Sequence, residues 1–553
     1  MAQYDTLPFG RDRPRLLLHY RRFPVPSLLS QCFNPSRRAY YGGMAIALIF
    51  ATLFGALAIA QAFDDNYVVQ DDARQYVFWM QRWQDPTLFP DDLIADYFSS
   101  IAPLGYRTLY YIAHRVGIPP LIFAKILPLF LGIAIAILAY RVTYHWLPVP
   151  LAGFLGSLLL QHSLWMKDDI AAAAPRSFAI PLLLAFMDAW LMRRDRPRPA
   201  LIYGLLTLAL LGLLSPPYLL IAAGMLGLSL VQIPAREFSQ WRSWVRGDRQ
   251  TWRWLIGGWG VTLAVLLPYL AATGDYGPTV SAELGRTMAE FRAGGRASLF
   301  DQDFWEFWIV GKRTNFFPKS LFTPVTLIPG ALFPLWATWY RRQKNTKPLP
   351  LNPDASQLIL KLLLSSTVLF FLAHATLFTL HLPSRYTGHS LRIAIALTSG
   401  VAWSLLLQNL FTRSPHKTFK TLQRPVAIAL AILLIAYPLT VNNFPKVGYK
   451  TGNAPQLYQF LQTQAKDIRI GSIAREANQI PTFAARSIIA SREYSVPYQL
   501  GYYRQIQQRM DDQITAQYTT DPDQLRQILQ RYSITHWLLD TNAFTVDYLA
   551  NDG

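Results

Sequence analysis

In the stretch QDDARQYVFWMQRWQDP, Gln70 to Pro86, two adjacent carboxylates, Asp71 and Asp72, follow directly on the first long apolar segment. Adjacent carboxylates suit general acid–base work, because the charge on one governs proton binding by the other. At a membrane surface such a pair is placed to act as base on an acceptor arriving from water, against a donor arriving from the bilayer. The plainer role is to cap the helix that follows and keep the loop wet. A competing acidic pair, Asp64 and Asp65, stands a few residues earlier. Arg176, behind Pro175 in DDIAAAAPRSFAIPLLLAF, lies inside an apolar segment, where a guanidinium is costly unless it faces a polar cavity or a partner. Lys125 sits at similar depth in another apolar segment and is its candidate counterpart. For both, snorkelling to the headgroups is the alternative. His374, His381 and His389 fall near one late turn and, with Asp168, raise the question of a divalent metal. Their spacing is not that of ligands, and with neither CxxC nor HExxH present no metal is assigned.

These residues need a scaffold that crosses a bilayer. With 52% hydrophobic, 14% aromatic and 15% charged residues among 553, the composition is that of a polytopic α-helical membrane protein. Runs of bilayer-spanning length predict about eleven transmembrane helices. They cover Tyr41–Phe63, Pro119–Tyr140, Leu147–Trp165, Ile170–Leu191, Ala200–Leu214, Pro217–Ile233, Leu255–Ala272, Leu321–Tyr340, Leu358–Leu380, Ile393–Phe411 and Val426–Val441. The formal charge of +19 is concentrated in the N-terminal arm and in short loops such as RRDRPR, RRQKNTK and RSPHKTFKTLQR. That pattern places the N-terminus in the cytoplasm and, with an odd number of crossings, the C-terminus outside. Motifs for nucleic-acid binding are lacking. The single cysteine, Cys32, excludes an intrachain disulfide, and no N-x-Ser/Thr acceptor with a permitted middle residue occurs, which favours a bacterial inner (plasma) membrane. The first apolar run is an uncleaved anchor rather than a signal core, being longer and preceded by a long basic region.

Three regions follow: a basic cytoplasmic arm over residues 1–40, a membrane domain over 41–441 with external loops at 64–118 and 273–320, and an extracytoplasmic α/β domain over 442–553. In the last, LYQFLQTQ and QLRQILQRY have helical patterns, whereas IRIGSIA, RSIIASR and ITHWLLD have strand patterns. The run YVFWMQRW, with Tyr76, Phe78, Trp79, Met80 and Trp83 on one broad face, predicts a helix lying at headgroup depth. Glu476 and Arg486 are candidates to touch an acceptor, with a solvated surface as the plainer reading.

An acidic pair in the first external loop, ahead of a juxtamembrane helix carrying a tyrosine, resembles the GT-C glycosyltransferases. That superfamily includes the protein O-mannosyltransferases, the lipid A aminoarabinose transferases and the catalytic subunits of oligosaccharyltransferase. The resemblance extends to the layout of the whole chain, while residue by residue it is local. It implies an inverting transfer of a sugar from a polyprenyl-phosphate-linked donor to an extracytoplasmic glycan, lipid or protein. Asp71 would be the base, with Asp72 beside it, and Asp168 and Asp169 of the MKDD turn would supply the acids of the second external turn. Arg385 and Tyr386 of LPSRY match an Arg-Tyr word in a late external loop, and Arg385 suits a phosphate because its planar, permanent charge forks onto oxygens. Arg176 and Lys125 would complete the donor pocket. The sequence departs from several branches in having Asp-Asp where they have Asp-Glu. Asp71 is preferred over Asp64 because the following ARQY fits the pattern. Two other readings stand beside this one: a transporter or lipid flippase with Lys125 and Arg176 along its path, and a non-catalytic scaffold of the same shape.

Overall fold

A computed structural model describes residues 32–33, 35–230, 248–271, 274–300, 303–318, 320–342, 349–412 and 417–551. Most of the basic arm and parts of the basic loops at 235–247, 343–348 and 413–416 lie outside the described residues. Among those described, seven helices are long and apolar enough to cross a membrane: Arg37–Ala62, Pro120–Trp146, Pro175–Met192, Pro197–Leu214, Pro353–Ala375, Ser384–Phe411 and Gln423–Thr440. The other four expected spans coincide with helices Pro150–Leu164, Pro216–Gly227, Arg249–Ala271 and Ile328–Arg342, which fall outside that set.

Pro150–Leu164 shows why length and burial diverge. Its 15 residues reach about 22 Å at the α-helical rise, short of a bilayer's hydrocarbon core. It is nevertheless enclosed, packing against Arg37–Ala62, Pro120–Trp146 and Ser384–Thr412. Small residues permit this closeness: a Cβ placed on Gly400 would fall on the backbone of Gly156 in the facing helix.

The membrane helices share one apolar core, and a second core lies on the side of the first loop. The second is built jointly by residues 69–131, the segment 280–299, the turn at 377–382 and the C-terminal segment. Strand Val68–Val69 pairs antiparallel with Lys450–Thr451, and the rings of Tyr97 and Tyr502 stack 3.6 Å apart. In the C-terminal segment, strands Ser487–Ile488, Arg469–Gly471 and His536–Trp537 form a parallel sheet in that order, with Ile470 paired to Ile488 and to His536. Helices Pro455–Thr463, Leu500–Tyr518 and Pro522–Tyr532 accompany it.

One local expectation is corrected. The run after Asp72 is a single α-turn, Ala73–Tyr76, followed by the 3-10 helix Phe78–Trp83. Phe78, Trp79 and Met80 are buried inside the protein, with Phe78 set edge-on to Phe89 and tilted against Tyr494. Tyr494 of the C-terminal segment lies against Phe78 and Trp83 meets Trp79 edge-on, so these buried aromatics are not free to lie among headgroups.

Candidate active site

The segments on this side enclose a cavity of about 1040 Å³. Asp71, Asp72, Asp168, Asp169 and Glu493 line it, together with nine Lys or Arg side chains. Each acid arrives by a short local device. Gln70 donates from Nε2 to the Ala124 carbonyl at 2.5 Å, pinning the strand end to helix Pro120–Trp146, so the next two residues turn into the cavity. Asp72 occupies the N-cap position of the following turn but makes no capping hydrogen bond; its carboxylate meets Arg176 Nη2 at 2.9 Å. That geometry replaces the capping role with an ion pair.

Arg176 is the second residue of the 3-10 turn Pro175–Phe178, where Pro175 presets the backbone for helix entry. Its Nη2 also reaches Asp168 Oδ2 at 2.5 Å, so one guanidinium joins the first loop to the MKDD turn. Burial pushes the Asp168 carboxyl up, but the charge and hydrogen bond of Arg176 outweigh it and hold the group below its ordinary value. The second acid of MKDD, Asp169, pairs with Arg392 and lies 3.9 Å from His389 Nε2. His389 Nδ1 is 3.0 Å from the Tyr218 hydroxyl, and Arg392 donates to Ser320 Oγ at 2.9 Å.

On the facing wall, Asp71 pairs with Arg74 and lies 3.9 Å from Lys450 Nζ. Arg74 also reaches Glu493 Oε2 at 3.1 Å, and Glu493 Oε1 accepts from Arg296 at 3.0 Å and from Gln75 at 2.7 Å. Burial leaves the Glu493 carboxyl above its ordinary value despite the two arginines. Tyr76, half-buried beside Asp72, is pushed up to about 12 by desolvation and then by the Asp72 charge. Lys167 is brought down to about 8 by burial and then by Arg392, and His381 to about 3 by burial and then by Arg385.

Several candidates fall elsewhere. Lys125 does not line the cavity; its ammonium sits 4.7 Å from the Phe63 ring centroid. Arg385 lines the cavity, yet Tyr386, one residue on and about 100° further round the helix, is buried with its hydroxyl donating to the Leu380 carbonyl at 2.7 Å. Asp64 and Asp65 lie outside the cavity, Asp65 accepting locally from the Tyr67 amide at 2.9 Å. His374 diverges from His381 and His389, its ring 4.4 Å from that of Trp308. Among the described residues no group of three or more His, Cys, Asp or Glu side chains is arranged to hold a metal. Glu476 takes a hydrogen bond from Tyr458, and Arg486, buried, donates to the carbonyls of Gln462, Gln464, Ala484 and Ala485; neither lines the cavity.

The residues that sequence reasoning missed are Arg74, Lys167, Arg296, Lys312, Arg313, Arg392, Lys446, Lys450 and Glu493. One signal was available: Arg385, His389 and Arg392 follow the i, i+4, i+7 spacing of a single helix face. No family model and no curated protein matches this sequence. Among solved structures, the chain is similar to the crystal structure of ArnT from Cupriavidus metallidurans bound to undecaprenyl phosphate, at 11% identity and a TM-score of 0.36, over 94% of this chain and 89% of that one.

Proposed function

We propose that this chain is an integral-membrane glycosyltransferase that moves a sugar from a polyprenyl-phosphate-linked donor to an extracytoplasmic acceptor, with Asp71 as base. The observation that carries this reading is the charge arrangement of the cavity. Asp71 and Asp72 share it with Lys167, Lys312, Arg313, Arg385 and Lys446, none of which has a carboxylate ion-pair partner among the described residues. Unneutralised cations facing one space favour an anion there, and guanidinium groups favour the oxygens of a phosphate. In the step proposed, an acceptor hydroxyl oxygen bonds to the anomeric carbon of the donor as its proton passes to Asp71. The bond from that carbon to the phosphate oxygen breaks with inversion, and the electron pair leaves on the phosphate, whose charge the cations stabilise. Asp72 and Asp168 hold Arg176 at the junction of the two loops, while Asp71 offers a carboxylate 37% exposed to the cavity.

The cavity is assembled from the loop after the first helix, the MKDD turn, the segment 279–318, the turn at 378–392 and the C-terminal segment. With eleven crossings all of these lie on the face opposite the basic loops, outside a bacterial plasma membrane. The test is deletion of the gene in its host, with mass-spectrometric profiling of surface glycans and polyprenyl-phosphate sugars, then complementation by wild type, Asp71→Asn, Asp72→Asn or the double variant carrying both, at equal membrane abundance. The expected result is loss of one glycan with build-up of its carrier, restored by wild type and not by Asp71→Asn. Full rescue by Asp71→Asn removes Asp71 as base, and full rescue by the double variant overturns the transferase reading.

A further inference from the structure

The segment DFWEFWIVGKRTNFF, residues 303–317, presents two opposite faces. Residues 306–310 form one wide helical turn, and backbone hydrogen bonds from Phe316 N to the Trp308 carbonyl (2.9 Å) and from Phe317 N to the Ile309 carbonyl (3.0 Å) close the segment into a hairpin. Gly311, Lys312 and Arg313 at its tip line the cavity. The tip is fixed there: Arg313 donates to the carbonyls of Ser298 and Arg296, both at 3.2 Å, and its own carbonyl accepts from the Ser384 amide at 3.1 Å. The base of the hairpin points the other way. Phe304 and Trp305 are each 63% exposed, and nearby Phe322 and Val325 are exposed as well.

The depth of this apolar face is set by its neighbours. Trp308 packs on His374, Phe370 and Phe371, in the last turn and a half of the membrane-spanning helix Pro353–Ala375. Phe316 packs on Phe370, with centroids 5.1 Å apart. Val368, Phe371 and Leu372 of that helix are exposed too, so the aromatic hairpin is joined through Trp308 and Phe316 to the apolar surface of a span. The exposed carboxylate-bearing residues Asp303 and Glu306 on the same turn fit headgroup depth rather than the hydrocarbon centre.

We infer that residues 303–310 are seated in the bilayer leaflet on the cavity side, with membrane lipid as the occupant of this face. Because the tip of the same hairpin forms cavity wall, lipid contact at its base fixes Lys312 and Arg313 at headgroup level. The inference stands on exposure and packing and is independent of the reaction assigned to the cavity.

The test uses the full chain, whose only cysteine is Cys32. On a Cys32→Ser background, Phe304→Cys and Trp305→Cys are spin-labelled and placed in discs of phosphatidylethanolamine and phosphatidylglycerol, with Val368→Cys as the lipid reference and Glu283→Cys as the water reference. Collision with oxygen relative to a water-soluble nickel chelate is expected to be severalfold higher at 304 and 305 than at 283, matching 368. Values matching 283 place the face in water and overturn the inference. Labels shielded from both agents place protein there, a second copy or a partner, and overturn it equally. A label-free measurement covers perturbation by the probes: Trp305→Phe is expected to lower the fraction of tryptophan fluorescence quenched by brominated lipid, and an unchanged fraction overturns the inference.

Discussion

Arg392 and Asp169 are the most buried ion pair of the cavity, the arginine side chain 4% and the carboxylate 10% exposed. Removing one member of such a pair leaves an uncompensated charge at a cost of about 3 kcal/mol, whereas removing both spares much of it. Arg392→Ala is therefore expected to lower the thermal midpoint of the detergent-solubilised protein more than Arg392→Ala with Asp169→Ala, which a dye-based melt reads directly. Lys167 gives a pH prediction. Burial brings its ammonium from 10.5 to about 8, so between those values the unfolded chain holds the proton more firmly and stability rises with pH. An anion bound beside it favours the charged form, so affinity for a short isoprenoid phosphate such as farnesyl phosphate is expected to fall as pH rises past about 8, by up to about tenfold per unit. Calorimetry on wild type and Lys167→Gln checks this: the variant should lose the decline.

At the scale of elements, spans and strands were legible because each is a local pattern. Apolar runs of bilayer length marked the helices, and ITHWLLD and RSIIASR marked two strands of the parallel sheet. Burial by protein rather than lipid was not legible, because an apolar stripe has the same composition in either setting; Phe78 lies against Tyr494 of the C-terminal segment and Trp79 is buried against Trp83. The cavity was legible where an acid or a cation stood out within its own stretch of sequence. Asp71, Asp72, Asp168, Asp169, Arg176 and Arg385 could be named, whereas Glu493, more than four hundred residues from Arg74, could not. Two element contacts yield predictions. Gly400→Val puts side-chain atoms against the Gly156 backbone, and overpacking of this kind costs about 1–3 kcal/mol; folded yield in membranes and the thermal midpoint should both drop. Glu493→Gln removes the charge that joins Arg74 to Arg296. Amide exchange over residues 73–83 should then rise by about tenfold or more, for a loss on the order of 1.4 kcal/mol, while exchange in Pro120–Trp146 stays as it was.

The whole molecule is bound together by the second core, and this bears on what the C-terminal segment is. The segment over residues 442–553, with its alternating helix and strand patterns, has the sequence character of an appended unit. Its Tyr458, Ile480, Tyr494 and Tyr502 nevertheless share one core with Val69, Phe78, Tyr97 and Phe98 of the first loop. Stacking of Tyr97 on Tyr502, the Val68–Thr451 pairing and the Gln75–Glu493 hydrogen bond all cross the same boundary. Burial of each such large side chain is worth about 1.5–3 kcal/mol, so uncovering only four of them costs about 6–12 kcal/mol, comparable with the whole stability of a typical domain. A chain ended after Pro445 is therefore expected to lose the first loop's fold along with the segment. It should elute from size exclusion as aggregate, and limited proteolysis should cut within residues 64–118 at a protease dose that leaves the full chain intact there. A monodisperse shorter protein with that loop still protected would show that the first loop holds its fold without the C-terminal segment, and the shared-core argument would fail.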